Sequence, residues 1–133
     1  MDQRFVHYPI EKLNELTYAT RGAAFKVYNK LGPGLLESIY TTCLIEELKH
    51  KGLSVESEVS LPVVYNEKSL DKQMRIDILV EKALIVEVKA VENLTALHHA
   101  QTLSYLKLSG LKLALLINFN TTDMKKSIIR IIN

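Results

Sequence analysis

Cysteine is almost missing from this chain: Cys43 is the only one in 133 residues. A single thiol excludes an internal disulfide and any zinc site built on paired cysteines. It lies among Tyr40, Leu44 and Leu48, where a small apolar side chain packs against helix neighbours, and a reducing, cytoplasmic setting is expected. No apolar stretch approaches the ~20 residues of a membrane span. The start, Met1-Asp2-Gln3-Arg4-Phe5, has neither the basic opening nor the apolar run of a signal peptide, so membrane insertion and secretion are not expected. An excess of one charge is absent as well. Lys and Arg number 17 against 15 Asp and Glu, leaving +2, so the chain as a whole does not attract a phosphate backbone and any such contact needs a local cluster. No glycine-rich loop follows a strand. Gly32-Pro33-Gly34 falls between two helical stretches, which excludes a dinucleotide fingerprint there.

What is present suffices for one core. Apolar residues make up 47% of the chain, and the length suits a single domain over residues 1–133 without staples. Repeats, low-complexity tracts and linkers are not evident. After Pro9, Leu13, Leu16, Ala19, Ala23, Val27 and Leu31 recur at helical spacing, which predicts a helix to about Lys30. The period resumes after the Gly-Pro-Gly turn with Leu36, Ile39, Tyr40, Cys43, Leu44 and Leu48, and Lys51-Gly52 closes a second helix.

From Leu53 the pattern alternates through Val55, Val59, Leu61, Val63 and Tyr65, a long or bent strand in which Pro62 favours an edge or a bulge. Asn66-Glu67-Lys68-Ser69 reads as a turn, with a loop from Glu67 to Gln73. Strands over Met74–Val80 and Leu84–Ala90 are joined closely enough by Glu81-Lys82-Ala83 to form a hairpin. One register places Ile76, Ile78 and Val80 opposite Val88, Val86 and Leu84, giving a wholly apolar face. It also sets Leu79 opposite Ile85, Asp77 opposite Glu87 and Arg75 opposite Lys89, whereas a slip by one residue separates the two carboxylates. A helix over Thr95–Ser109 ends at Gly110, a buried strand covers Leu111–Ile117, and Ser127–Ile132 suits a last strand. The expected architecture is α/β (α+β), in the order ααβββαβ with a final β.

Glu87-Val88-Lys89 places both charged side chains on one strand face. Alone, it reads more readily as a solvated face with a cross-strand charge pattern. Asp77 changes that, because two carboxylates about 5 Å apart repel unless a cation, a proton or basic neighbours neutralise them. Oxygen ligands of this kind suit Mg²⁺ or Mn²⁺. Such an ion polarises a phosphodiester, and Lys89 can stabilise the developing charge, which points to phosphodiester hydrolysis. Glu37, in the first turn after Gly34, either supplies a third carboxylate or complements the helix dipole. His98, Gln101 and Tyr105 form one helical stripe, suited to positioning a water, a base or a phosphate, or simply to packing.

Taken together, Gly34-x-x-Glu37-x-x-Tyr40, Arg75-Ile76-Asp77, Glu87-Val88-Lys89-Ala90 and Gln101-x-x-x-Tyr105 make the chain resemble the GxxExxY family of the PD-(D/E)XK nuclease superfamily. The resemblance runs from about Ile10 to Ile131. It implies a restriction-endonuclease-like three-layer core, with a central mixed sheet flanked by helices. It also implies a nuclease with Mg²⁺ or Mn²⁺ as cofactor. Asp77, Glu87, the Val88 carbonyl and Glu37 would be metal ligands, Lys89 catalytic, and Gln101 and Tyr105 its downstream motif. His98 matches a histidine often present in the family, whereas Tyr28 stands where His is common. Ile76 replaces a smaller residue, and the segment from Glu67 to Gln73 lacks an expected glycine. The implied partner is nucleic acid, DNA first, with RNA as the alternative substrate. A homodimer, an accessory protein or the Glu67–Gln73 segment would supply specificity. The competing reading is a nucleic-acid- or partner-binding module on the same fold, with Lys49, Lys51, Lys125, Lys126 and Arg130 as phosphate contacts.

Overall fold

The computed structural model describes residues 4–133, so the Met1-Asp2-Gln3 start read above lies outside the described residues. Periodicity and caps set the helices. Helix α1 (Ile10–Leu31) begins after extended Pro9 and ends at Gly32, whose φ of 68° a side chain would resist. Helix α2 (Glu37–His50) follows the Gly-Pro-Gly turn. Strands β1 (Val55–Tyr65), β2 (Lys68–Val80) and β3 (Leu84–Lys89) come next. They are followed by α3 (Ala96–Ser109), β4 (Leu113–Asn118), a short 3₁₀ turn (Met124–Ser127) and β5 (Ile128–Ile132). This is the expected order, final strand included. No helix among the described residues is long and apolar enough to cross a membrane.

The strands form one five-stranded sheet in the order β1-β2-β3-β4-β5. Only β3 and β4 run parallel, joined by the α3 crossover; the other neighbours are antiparallel. On one face, α1 and α2 bury Leu13, Leu16, Val27, Tyr40, Leu44 and Leu48 against Ile78, Val86, Val88 and Leu115. On the other, Tyr105 and Leu106 of α3 cover Leu79, Ile85, Ala114 and Leu116. The result is the three-layer, restriction-endonuclease-like arrangement. Because both faces are covered, Leu84–Val86 of β3 and Leu113–Ile117 of β4 are continuously apolar rather than alternating.

The hairpin register is the expected one for three pairs: Val80↔Leu84, Leu79↔Ile85 and Ile78↔Val86. There the ladder stops. Asp77↔Glu87, Ile76↔Val88 and Arg75↔Lys89 do not continue it, and the two strands splay. Ile76 is not on the same face as Ile78 either: it packs in the α3-side cluster, whereas Ile78 and Val88 pack on the α1–α2 side. At the same level of β1, Glu58 takes a positive φ of 50° and the pairing with β2 skips Glu58 and Asp77. Such an irregularity increases the local twist of a ribbon. Val55 and Ile78, on one side of it, pack under α1 and α2; Val59 and Ile76, beyond it, pack under α3.

A second correction concerns residues 67–73, expected as a loop. The β1–β2 ribbon continues through them to a tight turn at Asn66 and Glu67, with φ of 50° and 64°, the left-handed pair of a two-residue hairpin. Both faces of Lys68–Gln73 meet solvent, so no hydrophobic alternation marked the strand. Pro62 sits where expected, on an edge strand beside a register shift between Pro62 and Val64.

Candidate active site

Where β2 and β3 separate, two carboxylates fill the gap. The backbone N–H of Asp77 donates to Glu87 Oε1 at 3.1 Å, and that of Val88 donates to Asp77 Oδ2 at 2.9 Å. Past the end of the ladder, the two carboxylates thus satisfy the amides of Asp77 and Val88. The inner register and these bonds together bring Asp77 and Glu87 side by side, as the alternation of β2 and β3 required.

Their environments differ. Asp77 is partly exposed, whereas Glu87 retains only 1% exposure beneath α3. Burial, and next the charge of Asp77, push the Glu87 carboxyl up to about 9; Lys89 offsets this in part. Tyr105 is pushed up to about 12, first by burial and then by the charges of Glu87 and Asp77, so its phenol stays neutral at physiological pH. It lies close enough to the pair to feel both charges.

Lys89 projects beside them, and its Nζ donates to Gln101 Oε1 of α3 at 3.4 Å. Two devices hold its backbone. Phe119 N–H donates to Lys89 O at 2.9 Å. Asn118, only 4% exposed, accepts from Val91 N through Oδ1 at 3.0 Å and donates to Val91 O through Nδ2 at 2.9 Å. The end of β4 therefore clamps the chain just past the lysine. Sequence reasoning passed over Asn118, since an asparagine after an apolar run resembles an ordinary turn residue.

Glu37 does not join the pair directly. It is exposed at the first position of α2 and lines a recess of about 300 Å³ with Ser38, Thr41, Ser57, Glu58 and Asp77. Glu58 was also missed. It occupies an ordinary strand position in the sequence, and nothing there announces the left-handed backbone that turns it toward the recess. Among the described residues, no three His, Cys, Asp or Glu side chains converge closely enough to cage an ion on their own.

Tyr40, placed in the core by its spacing, also orders the turn that carries Glu37. Its hydroxyl donates to Gly32 O at 2.6 Å and accepts from Leu35 N at 3.1 Å, while its ring stacks on Phe119 at 4.7 Å. Tyr40→Phe keeps the stack but strands two backbone groups of the turn. The expected loss is about 1–3 kcal/mol, read as a lower urea midpoint with an unchanged denaturant slope. Tyr28 donates to Thr121 O at 2.6 Å and ties α1 to the segment after β4.

The chemistry of these groups tests whether a divalent cation fits. Two adjacent carboxylates, one driven neutral by burial and by its partner's charge, are stable only with a shared proton or a cation between them. Hard oxygen donors match Mg²⁺ or Mn²⁺, which usually take one or two carboxylates and complete their shell with water and substrate phosphate. The residues present fit such an ion.

Compared with sequence families, residues 14–131 match the model of the PD-(D/E)XK nuclease superfamily. Comparisons with curated proteins and with solved structures found no match.

Proposed function

Because the chain belongs to the PD-(D/E)XK nuclease superfamily, we propose that it is a metal-dependent nuclease hydrolysing phosphodiester bonds, with DNA as the substrate. Within the superfamily, Gly34, Glu37 and Tyr40 support placement in the GxxExxY group. The observation carrying the reading is the splay of β2 from β3, where the Glu87 carboxylate accepts from Asp77 N–H and the Asp77 carboxylate accepts from Val88 N–H, beside Lys89. A sheet that served only as scaffold would close this ladder and keep its carboxylates apart.

Asp77, Glu87 and the Val88 carbonyl would hold Mg²⁺ or Mn²⁺, with Glu37 reached through the shared recess. Superfamily members typically use divalent metals, and the ion supplies Lewis acidity toward the phosphate when bound. The other roles belong to the chain. Lys89 places a positive charge where the phosphate becomes more anionic, and Gln101 orients that ammonium. Tyr105 stays neutral beside the carboxylate pair. A second copy or an accessory protein would add sequence preference.

Labelled single-stranded DNA, duplex, branched DNA and RNA, each with Mg²⁺, Mn²⁺ or chelator, provide the test. Cleavage is expected with either ion, and its loss in chelator is the signature. Asp77→Asn, whose amide oxygen still accepts from Val88 N, separates chemistry from folding and is expected to be inactive yet folded. Binding without cleavage under every condition would reject the nuclease and leave a nucleic-acid-binding module on the same fold.

A further inference from the structure

His98 is held in one tautomer, and it faces the recess beside Lys89. At the start of α3, Thr95 Oγ1 accepts from His98 N at 3.3 Å, and His98 Nδ1 accepts from Thr95 N at 3.0 Å. This is a capping box in which imidazole takes the place of the usual Glu or Gln. Because Nδ1 is the acceptor, the ring proton of neutral His98 resides on Nε2. A residue needed only as a cap would serve as well with a carboxylate, which has no donor to offer.

The recess in question measures about 550 Å³ and is lined by Met74, Lys89, Leu97, His98, Ala100, Gln101 and Ser104. No carboxylate lines it. Its polar side chains are the Lys89 ammonium, the Gln101 amide, the His98 imidazole and Ser104, whose hydroxyl already donates to Ala100 O. The recess with Glu37, Glu58 and Asp77 has the opposite character. The two flank the splayed strands, one acidic and one rich in donors. Leu97, 78% exposed, and Met74 add apolar surface to the donor-rich side.

We propose that this donor-rich recess is a substrate subsite holding the nucleotide next to the cut, with His98 Nε2–H donating to its phosphate. The inference rests on the nuclease reading. It assigns the adjacent phosphate to His98 and the apolar surface of Met74 and Leu97 to an unstacked base or its sugar, a fit for a single strand or a frayed end rather than a closed duplex. His98 is thus a positioning residue, expected to act on substrate affinity more than on turnover.

Three variants separate this role from capping. Thr95→Ala removes the hydroxyl cap but leaves the ring. His98→Ala removes both the cap and the donor. His98→Gln restores a capping acceptor together with an amide donor. Thermal melting, binding of a labelled single-stranded oligonucleotide in chelator, and cleavage with Mn²⁺ are then compared. Both alanine variants should melt below wild type. Thr95→Ala should bind within about twofold of wild type, His98→Ala about tenfold more weakly with KM raised and kcat nearly kept, and His98→Gln should recover most of the loss, an expected tenfold being near one charge-assisted hydrogen bond. Equal binding by the two alanine variants would reduce His98 to a cap and overturn the subsite while leaving the nuclease reading intact. Failure of the wild type to bind or cleave any nucleic acid would overturn both.

Discussion

Lys89→Ala is expected to slow phosphodiester cleavage by about two to three orders of magnitude, the usual loss when one preorganised group facing a developing anion is removed. The fold should survive. Neither the Phe119 N–H bond to Lys89 O nor the Asn118 clamp on Val91 involves the lysine side chain, and its neighbours Val88 and Ala90 keep their packing. Gln101 loses the Lys89 ammonium as a partner at a partly exposed site, where water can replace it. The decrease should appear in kcat rather than in oligonucleotide affinity, because the charge it answers grows only on the way to the transition state. Single-turnover cleavage with Mn²⁺ measures it, and a variant within fivefold of wild type would remove Lys89 from the chemistry.

Glu87→Gln has its largest effect on the metal-free protein. The Glu87 carboxyl rises from 4.5 to about 9 on folding, through burial and the Asp77 charge. Between those values the unfolded chain has released this proton and the folded chain still holds it, so unfolding releases a proton and rising pH favours the unfolded state. The contribution of Glu87 is fully present below about 4.5 and is lost as pH rises through about 9. Glutamine at 87 removes this titration. Relative to wild type, the variant should gain stability as pH climbs from 5 to 9, with a limiting slope of about 1.4 kcal/mol per unit from one proton. Urea denaturation in chelator across that range gives the slope directly. A divalent ion reverses the ranking, since binding expels the proton: wild-type affinity should strengthen up to about tenfold per pH unit below 9, and Glu87→Gln should bind weakly at every pH. Parallel stability profiles for the two proteins would show that Glu87 is not held protonated.

Alternation read along Met74–Val80 and Leu84–Lys89 carried the inner hairpin register, and with it the neighbouring acids Asp77 and Glu87. That much follows from packing, because a shift by one residue would have put Ile78 and Val80 on the opposite face from Val86 and Leu84. The break in the ladder was not legible. It lies level with a glutamate, Glu58, in a backbone that sequence rules reserve for Gly or Asn, and Ile76 was assigned to the wrong face. The outer ribbon was missed for the opposite reason, since strands exposed on both faces carry no pattern. At the site, Glu37 was singled out by the resemblance alone and lines one recess with Asp77, whereas the hydrogen bonds of Asn118, Tyr40 and the Thr95–His98 box depend on contacts that residue spacing alone does not specify.

The central place of β3 has a consequence during synthesis. All the candidate acids and Lys89 emerge by residue 89, and α3 by residue 109, yet β3 then has a strand on one side only. Its other neighbour, β4, and the Asn118 clamp arrive with residues 113–118, and β5 closes the new edge afterwards. A nascent chain paused before β4 would present an apolar, unpaired strand edge, a feature that invites aggregation or chaperone capture. The site would therefore be completed late and abruptly, once β4 and β5 have joined the sheet, rather than growing with the chain.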